Sequence, residues 1–287
     1  MNIAHLILAH NNPQQLLRLV NRLQHKDADF YIHIDKKTDI TPFLSIGQQK
    51  NVTLLRNRIA IKWGAYSMIE ATLSGFEAIL QAHKNYGYIN LLSGNDYPLV
   101  TTQALHTFFA KHPNKAFTEF YAIDSVWTEA VPRLTKYYFT NYNFKGSVLL
   151  ETVVNKVMPP RKMPNQLVPV GRSQWFTITL QHVQYIVDYL NKNKHVQRFF
   201  AHTWGSDEIV IQTILFNSPY KKDMVNNNLR YIDWSDGNAS PKTFTYTDAA
   251  TLLKSQKLFA RKFDLNTDAQ ILNLLDKEAN QYVNIVI

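Results

Sequence analysis

The chain has 287 residues, 45% of them hydrophobic, with 9 glycines and 11 prolines, which allows a sizeable core and excludes a disordered or fibrous chain. It has no cysteine, which excludes disulfides and thiolate metal sites. Lysine and arginine (31) exceed aspartate and glutamate (22), a net charge of +9 that attracts polyanions, acidic lipids or phosphorylated ligands, although no recognised nucleic-acid motif accompanies it.

Residues 3–8 form an apolar run suited to a buried first strand. The run is too short, and lacks the basic flank, for a signal peptide. Asn11 or Asn12 can cap a helix with Pro13 in its first turn, and Leu16, Leu19, Val20 and Leu23 follow the spacing of one helix face. Residues 30–34 read as a second strand with Phe30, Ile32 and Ile34 on one face, and 52–55 as a third. Ile69, Leu73, Phe76 and Leu80 mark another helix, 88–92 a strand, and Ser93-Gly94-Asn95-Asp96 the loop that leaves it. Strands alternating with helices predict an α/β fold with a mostly parallel sheet covered on both faces, as one large domain over 1–287. Ligands bind beyond the carboxyl ends of such strands, where Asp35 and Asp96 both fall.

Residues 120–172 are less regular and rich in aromatics (Tyr121, Trp127, Tyr137, Tyr138, Phe139, Tyr142, Phe144), which predicts an excursion covering the site. A strand near 174–179 follows, then helices from Gln181, from Ser206 or Asp207, from Thr247 and from Thr267. No apolar run approaches the roughly 18–20 residues that span a bilayer, and the basic residues are scattered in small groups (Arg161-Lys162, Lys221-Lys222, Arg261-Lys262).

Six short motifs stand in a fixed order: His33-Ile34-Asp35-Lys36-Lys37, Trp63-Gly64, Ser93-Gly94-Asn95-Asp96-Tyr97-Pro98, Gly171-Arg172-Ser173-Gln174-Trp175-Phe176, Trp204-Gly205-Ser206-Asp207-Glu208, and Phe259-Ala260-Arg261-Lys262-Phe263-Asp264. Together they resemble the core-2/I-branching enzymes and peptide O-xylosyltransferases, glycosyltransferase family fourteen, over residues 3–264. The resemblance implies a GT-A-like (Rossmann-like) fold, with about 1–118 binding a nucleotide sugar and about 119–287 providing the acceptor and catalytic half. It implies an inverting transferase that moves a sugar (N-acetylglucosamine, xylose, glucose or galactose) from a UDP-sugar to a glycan hydroxyl, leaving a β-linkage. Animal members of the family are disulfide-bonded, so a chain without cysteine looks like a bacterial-type, cytoplasmic member. Its acceptor would be a capsule, exopolysaccharide or lipopolysaccharide glycan on a lipid carrier, and its basic surplus suits the inner face of an anionic membrane.

The resemblance also assigns residues. Glu208 matches the family's base, a carboxylate that takes the acceptor hydroxyl's proton. Placed in the first turn of a helix, it would be favoured as an anion by the helix dipole. Ser206, Asp207 and Glu208 are by themselves also ordinary helix-opening residues. Lys262, with Arg261 beside it, and less closely Lys242, match cations that hold the departing diphosphate in place of a metal, so no divalent ion is expected. Asp27-Ala28-Asp29 fits a metal-binding pattern but precedes a strand and reads as a turn. Asp35, Lys36 and Asp96 are the nucleotide-sugar contacts. Gln174, Trp175 and Trp204 shape the acceptor site, an indole face suiting the apolar side of a sugar ring. Trp63 and His33 read as structural, and Arg133 is unassigned. Two other readings stay open: a carbohydrate- or nucleotide-binding protein of the same fold without turnover, and, weakest, a nucleic-acid-binding module.

Overall fold

The computed structural model describes residues 1–142 and 144–279. The first third follows the expected alternation: β1 (Ile3–Ala9), α1 (Pro13–Arg22), β2 (Ala28–Ile34), β3 (Val52–Leu54), α2 (Ser67–Gln81), β4 (Tyr88–Ser93). Asn12 caps α1, its side chain accepting from the Gln15 amide. Then come β5 (Asp96–Pro98), α3 (Thr102–Lys111), β6 (Ala116–Ala122), α4 (Val131–Thr135) and α5 (Ser147–Val157). Next are β7 (Val170–Ile178), α6 (Leu180–Lys192), α7 (Lys194–Ala201) and α8 (Val210–Phe216). The chain continues through β8 (Met224–Asn226), β9 (Arg230–Ile232), α9 (Ala249–Lys254), β10 (Phe259–Arg261) and α10 (Ala269–Glu278).

Seven strands form one sheet in the order β3-β2-β1-β4-β7-β6-β8. All neighbouring pairs are parallel except those made by β7, which runs against both β4 and β6. Alternate residues of β1 explain the two covering layers. Ile3 and Ile7 face one core with Leu16 and Leu19 of α1, Phe109 of α3 and Leu272 of α10. Ala4, Leu6 and Leu8 face the other, with Phe76 of α2, Ile186 of α6 and Ile211 of α8. Helices on both faces of a mostly parallel sheet are the predicted fold class.

A second sheet, β5-β10-β9, sits where β4 ends. Buried Arg230, at the start of β9, fastens it to the first sheet: its guanidinium donates to Thr177 Oγ1, Asn90 Oδ1 and the carbonyls of Leu91, Phe176 and Asn228. Gln15 of α1 joins from the other side, donating to the carbonyls of Gly94 and Phe263 and accepting from the Leu265 amide.

The segment between β6 and β7 leaves the sheet as expected, but it flanks the site and does not cover it. None of the described residues in 122–171 lines either of the two cavities described below. Arg161, read from the sequence as part of a basic group, is buried and donates to backbone carbonyls of Lys136, His202 and Phe199.

Candidate active site

The carboxyl ends of β1, β2 and β4 meet at one edge of the large sheet. Because β7 is antiparallel, its amino-terminal residues 172–175 arrive at that same edge. Two cavities open there, of about 400 and about 430 Å³. The first is lined by Asp35, Ser93, Asn95, Trp63, Asp207, Arg261 and Lys262, among others. The second is lined by Glu119, Tyr121, Arg172, Asn228 and Lys257, among others. Gln174, Trp175, Glu208, Ile232 and Trp234 line both. Glu208 therefore stands at the junction of two chambers.

Glu208 is not in the first turn of an α-helix. Ser206–Glu208 is a separate 3-10 turn, Ile209 (φ −125°, ψ −44°) breaks the path, and α8 starts only at Val210. The expected helix-dipole effect is thus replaced by a specific cation. Arg133 Nη1 donates to Glu208 Oε2 at 2.5 Å, and its guanidinium lies 4.4 Å over the Trp204 ring and 4.9 Å over that of Trp127. Oε1 accepts no hydrogen bond from a described residue.

Two motif pairs hold this turn. Gly64 (φ +69°) and Gly205 (φ +63°) both take the left-handed conformation, the Gly205 amide donates to the Gly64 carbonyl at 2.8 Å, and the Trp63 and Trp204 rings meet edge to face at 5.3 Å. Gly171 is the second support: a Cβ there would come within 2.2 Å of the Glu208 carbonyl oxygen.

Asp207 is the most perturbed carboxyl at the site. Burial, then the neighbouring Glu208 charge, pushes it up to about 7, and its Oδ1 is sealed from solvent without a hydrogen-bond partner among the described residues. Glu119 on β6 is also raised, mainly by burial, and accepts from Asn228 Nδ2 at 3.0 Å.

Arg261 is held from two sides. Asp96 is its cross-strand partner, Nη1 to Oδ1 at 2.8 Å, and the guanidinium lies 4.4 Å from the Trp175 ring centroid. Lys262 follows, its Nζ donating to Ser240 Oγ at 2.9 Å.

The structure thus brings together Asp35, Gln174, Trp175, Glu208, Arg261 and Lys262 around the first cavity. Four expected site residues lie elsewhere. Lys36 is exposed and lines neither cavity. Asp96 is fully buried and lines neither cavity; it accepts from the Ser93 amide and orients Arg261 instead of facing a ligand. Lys242 turns away to Asp248, Nζ to Oδ1 at 2.7 Å, although its neighbours Ser240, Pro241 and Thr243 line the cavity. Trp204 packs against Trp63, which is 66% exposed at the edge of the first cavity, and Trp204 itself lines neither cavity. Asp207, Glu119 and Trp234 were not assigned from sequence. Asp207 stood in a motif, but its burial had no local signal. Glu119 and Trp234 reach the cleft only through the pairing of β6 with β7 and the path after β9.

His33 is structural, its Nε2 accepting from the Ile59 amide. Of Asp27-Ala28-Asp29, expected to be a turn, only Asp27 lies in one: Ala28 and Asp29 open β2, where Asp29 pairs with Lys84 at the opposite end of that strand from Asp35.

The Core-2/I-Branching enzyme family model matches residues 3–256. The chain belongs to this family. It is 26% identical to xylosyltransferase 2 of Rattus norvegicus over 305 residues, covering 96% of the chain and 33% of the relative. It is 25% identical to xylosyltransferase 1 of Homo sapiens over 302 residues, covering 96% of the chain and 30% of the relative. The chain therefore spans about a third of the length of these curated relatives. Among solved structures, mouse xyloside xylosyltransferase 1 in its apo form aligns with 93% of this chain and 99% of its own, at 11% identity and a TM-score of 0.41. No helix of the described residues is long and apolar enough to cross a membrane.

Proposed function

We propose that this chain is an inverting glycosyltransferase that moves a sugar from a UDP-sugar to a glycan hydroxyl by direct displacement. The observation that carries this reading is the position of Glu208 between two chambers, one of which also presents Arg261 and Lys262. A nucleotide diphosphate gains negative charge as the anomeric bond breaks, and preorganised cations stabilise that charge. Arg261, clamped by Asp96 and Trp175, offers such a cation at little reorganisation cost, with Lys262 beside it. Asp35 lies at the end of β2 in the same chamber, placed to accept from ribose or sugar hydroxyls. Trp175 and Gln174, shared by both chambers, suit contacts with the transferred sugar.

In the second chamber the acceptor hydroxyl would approach Glu208, give its proton to the free carboxylate oxygen and attack the anomeric carbon opposite the leaving UDP, which leaves a β-linkage. Arg133 fixes the carboxylate through the other oxygen. On this account no divalent metal is needed. A xylose donor accords with the relatives' names. The lack of cysteine fits a reducing compartment.

Titration calorimetry with UDP in EDTA tests the donor side. The wild type binds, and Lys262→Ala and Arg261→Ala each weaken binding by roughly tenfold or more, since hydrogen bonds to charged groups contribute about 1.5–3 kcal/mol. Binding that appears only when a divalent ion is restored would overturn the metal-free account. A second reading, a binding protein without turnover, is favoured only by the Arg133 ion pair already on Glu208, and it predicts UDP-sugar binding with no product.

A further inference from the structure

Helix α5 is amphipathic in the reverse sense from a surface helix packed on a core. Its inward stripe is polar. Glu151 accepts from the Phe139 amide, and Asn155 bonds both the amide and the carbonyl of Tyr137. Its outward face is apolar: Val148, Leu149, Val153 and Val157 are 77, 68, 48 and 73% exposed, and none of its residues is buried. Exposed Phe144 precedes the helix and exposed Met158 follows it. A patch of this kind on a soluble chain marks an interaction surface.

We propose that this face docks on an anionic lipid surface. The charge pattern selects that occupant. The exposed charged residues over the described part of 142–168 are Lys145, Lys156 and Lys162, with no exposed carboxylate; the lone acid, Glu151, faces inward. Apolar side chains flanked only by lysines fit the boundary of acidic headgroups, where lysine stems lie along the acyl region and the ammonium groups meet phosphates. A second copy of the same face would bring lysines against lysines. The face is also tied to the candidate site: Tyr138 N donates to the His202 carbonyl, Asn141 Nδ2 donates to the Ala201 carbonyl, and both lie just before the Trp204-to-Glu208 turn. Docking there would bring the cleft towards acceptors carried in a membrane. The lipid contact itself does not depend on the transferase reading.

The test is co-sedimentation of the whole chain with vesicles of phosphatidylcholine alone and with 30 mol% phosphatidylglycerol (about one lipid in three anionic, a composition dense enough for polybasic attraction). The wild type binds the anionic vesicles, and binding weakens with salt. Leu149→Glu/Val153→Glu and Lys145→Glu/Lys156→Glu each lower it tenfold or more, with unchanged melting curves because all four side chains are exposed. Three outcomes would overturn the proposal: no binding to anionic vesicles, binding by both double variants at the wild-type level, or a wild-type dimer that Leu149→Glu/Val153→Glu converts to monomer while vesicles capture neither.

Discussion

Gly171 cannot acquire a side chain without moving the candidate base, since its Cβ would fall 2.2 Å from the Glu208 carbonyl oxygen. Gly171→Ala is therefore expected to lower turnover at least tenfold while leaving donor affinity within about threefold of wild type, because a displacement of about 1 Å at a reacting group costs up to ~10²-fold. Steady-state kinetics beside UDP titration reads the split; equal loss in both would place the damage in the general fold. Asp96 makes a contrasting case. Asp96→Asn keeps the shape but removes the anion that holds Arg261, so UDP affinity should fall several-fold, and stability by about 1–3 kcal/mol for the weakened buried contact. Unchanged UDP affinity would detach Arg261 from the donor. Asp35 and Asp96 looked alike in the sequence, each just past a strand. Which one faces the cleft depends on β5 turning Asp96 inward to pair with β10, a long-range pairing that local pattern does not encode.

Among the elements, strand β9 pairs with β10 and is tied to the first sheet through Arg230. Its guanidinium has five acceptors and, among the described residues, no ion-pair partner, and burial lowers its pKa to about 10. Arg230→Met leaves those buried acceptors unpaired, and denaturant unfolding should show a loss of about 3 kcal/mol or more. A loss under about 1 kcal/mol would mean that the second sheet is held elsewhere. The strands and helices of the first third were legible because their apolar periodicity is strong and each element packs on the next. The three-residue strands β8, β9 and β10 were not: unlike the equally short β3, which continues a regular strand-helix alternation, they gain their pairing from partners distant in sequence. Likewise Ser206-Asp207-Glu208 has the composition of a helix start, but Gly205 in the left-handed conformation and the break at Ile209 separate it from α8. Those features answer to the contact with Gly64 and Gly171, which sequence spacing does not reveal.

At the scale of the molecule, pH and charge enter. Asp207 is raised above its ordinary 3.8, so its contribution to stability is complete below about 4 and is lost as pH rises through about 7. Melting temperatures of the wild type should fall across that window relative to Asp207→Asn, in which the ionisable group is gone. Parallel curves would show that the carboxyl ionises without penalty. Net charge was legible from composition, but its useful part was not. Arg161 is spent on backbone carbonyls and Lys242 on Asp248, whereas Arg261 and Lys262 reach the cleft.

The most direct measurement is UDP release in EDTA from a panel of UDP-sugars with a mixed glycan acceptor pool, comparing the wild type with Glu208→Gln. The account predicts turnover with a particular donor that survives EDTA and falls by at least ~10²-fold in the variant, the range for a general base. Turnover abolished by EDTA, or undiminished in Glu208→Gln, would contradict it.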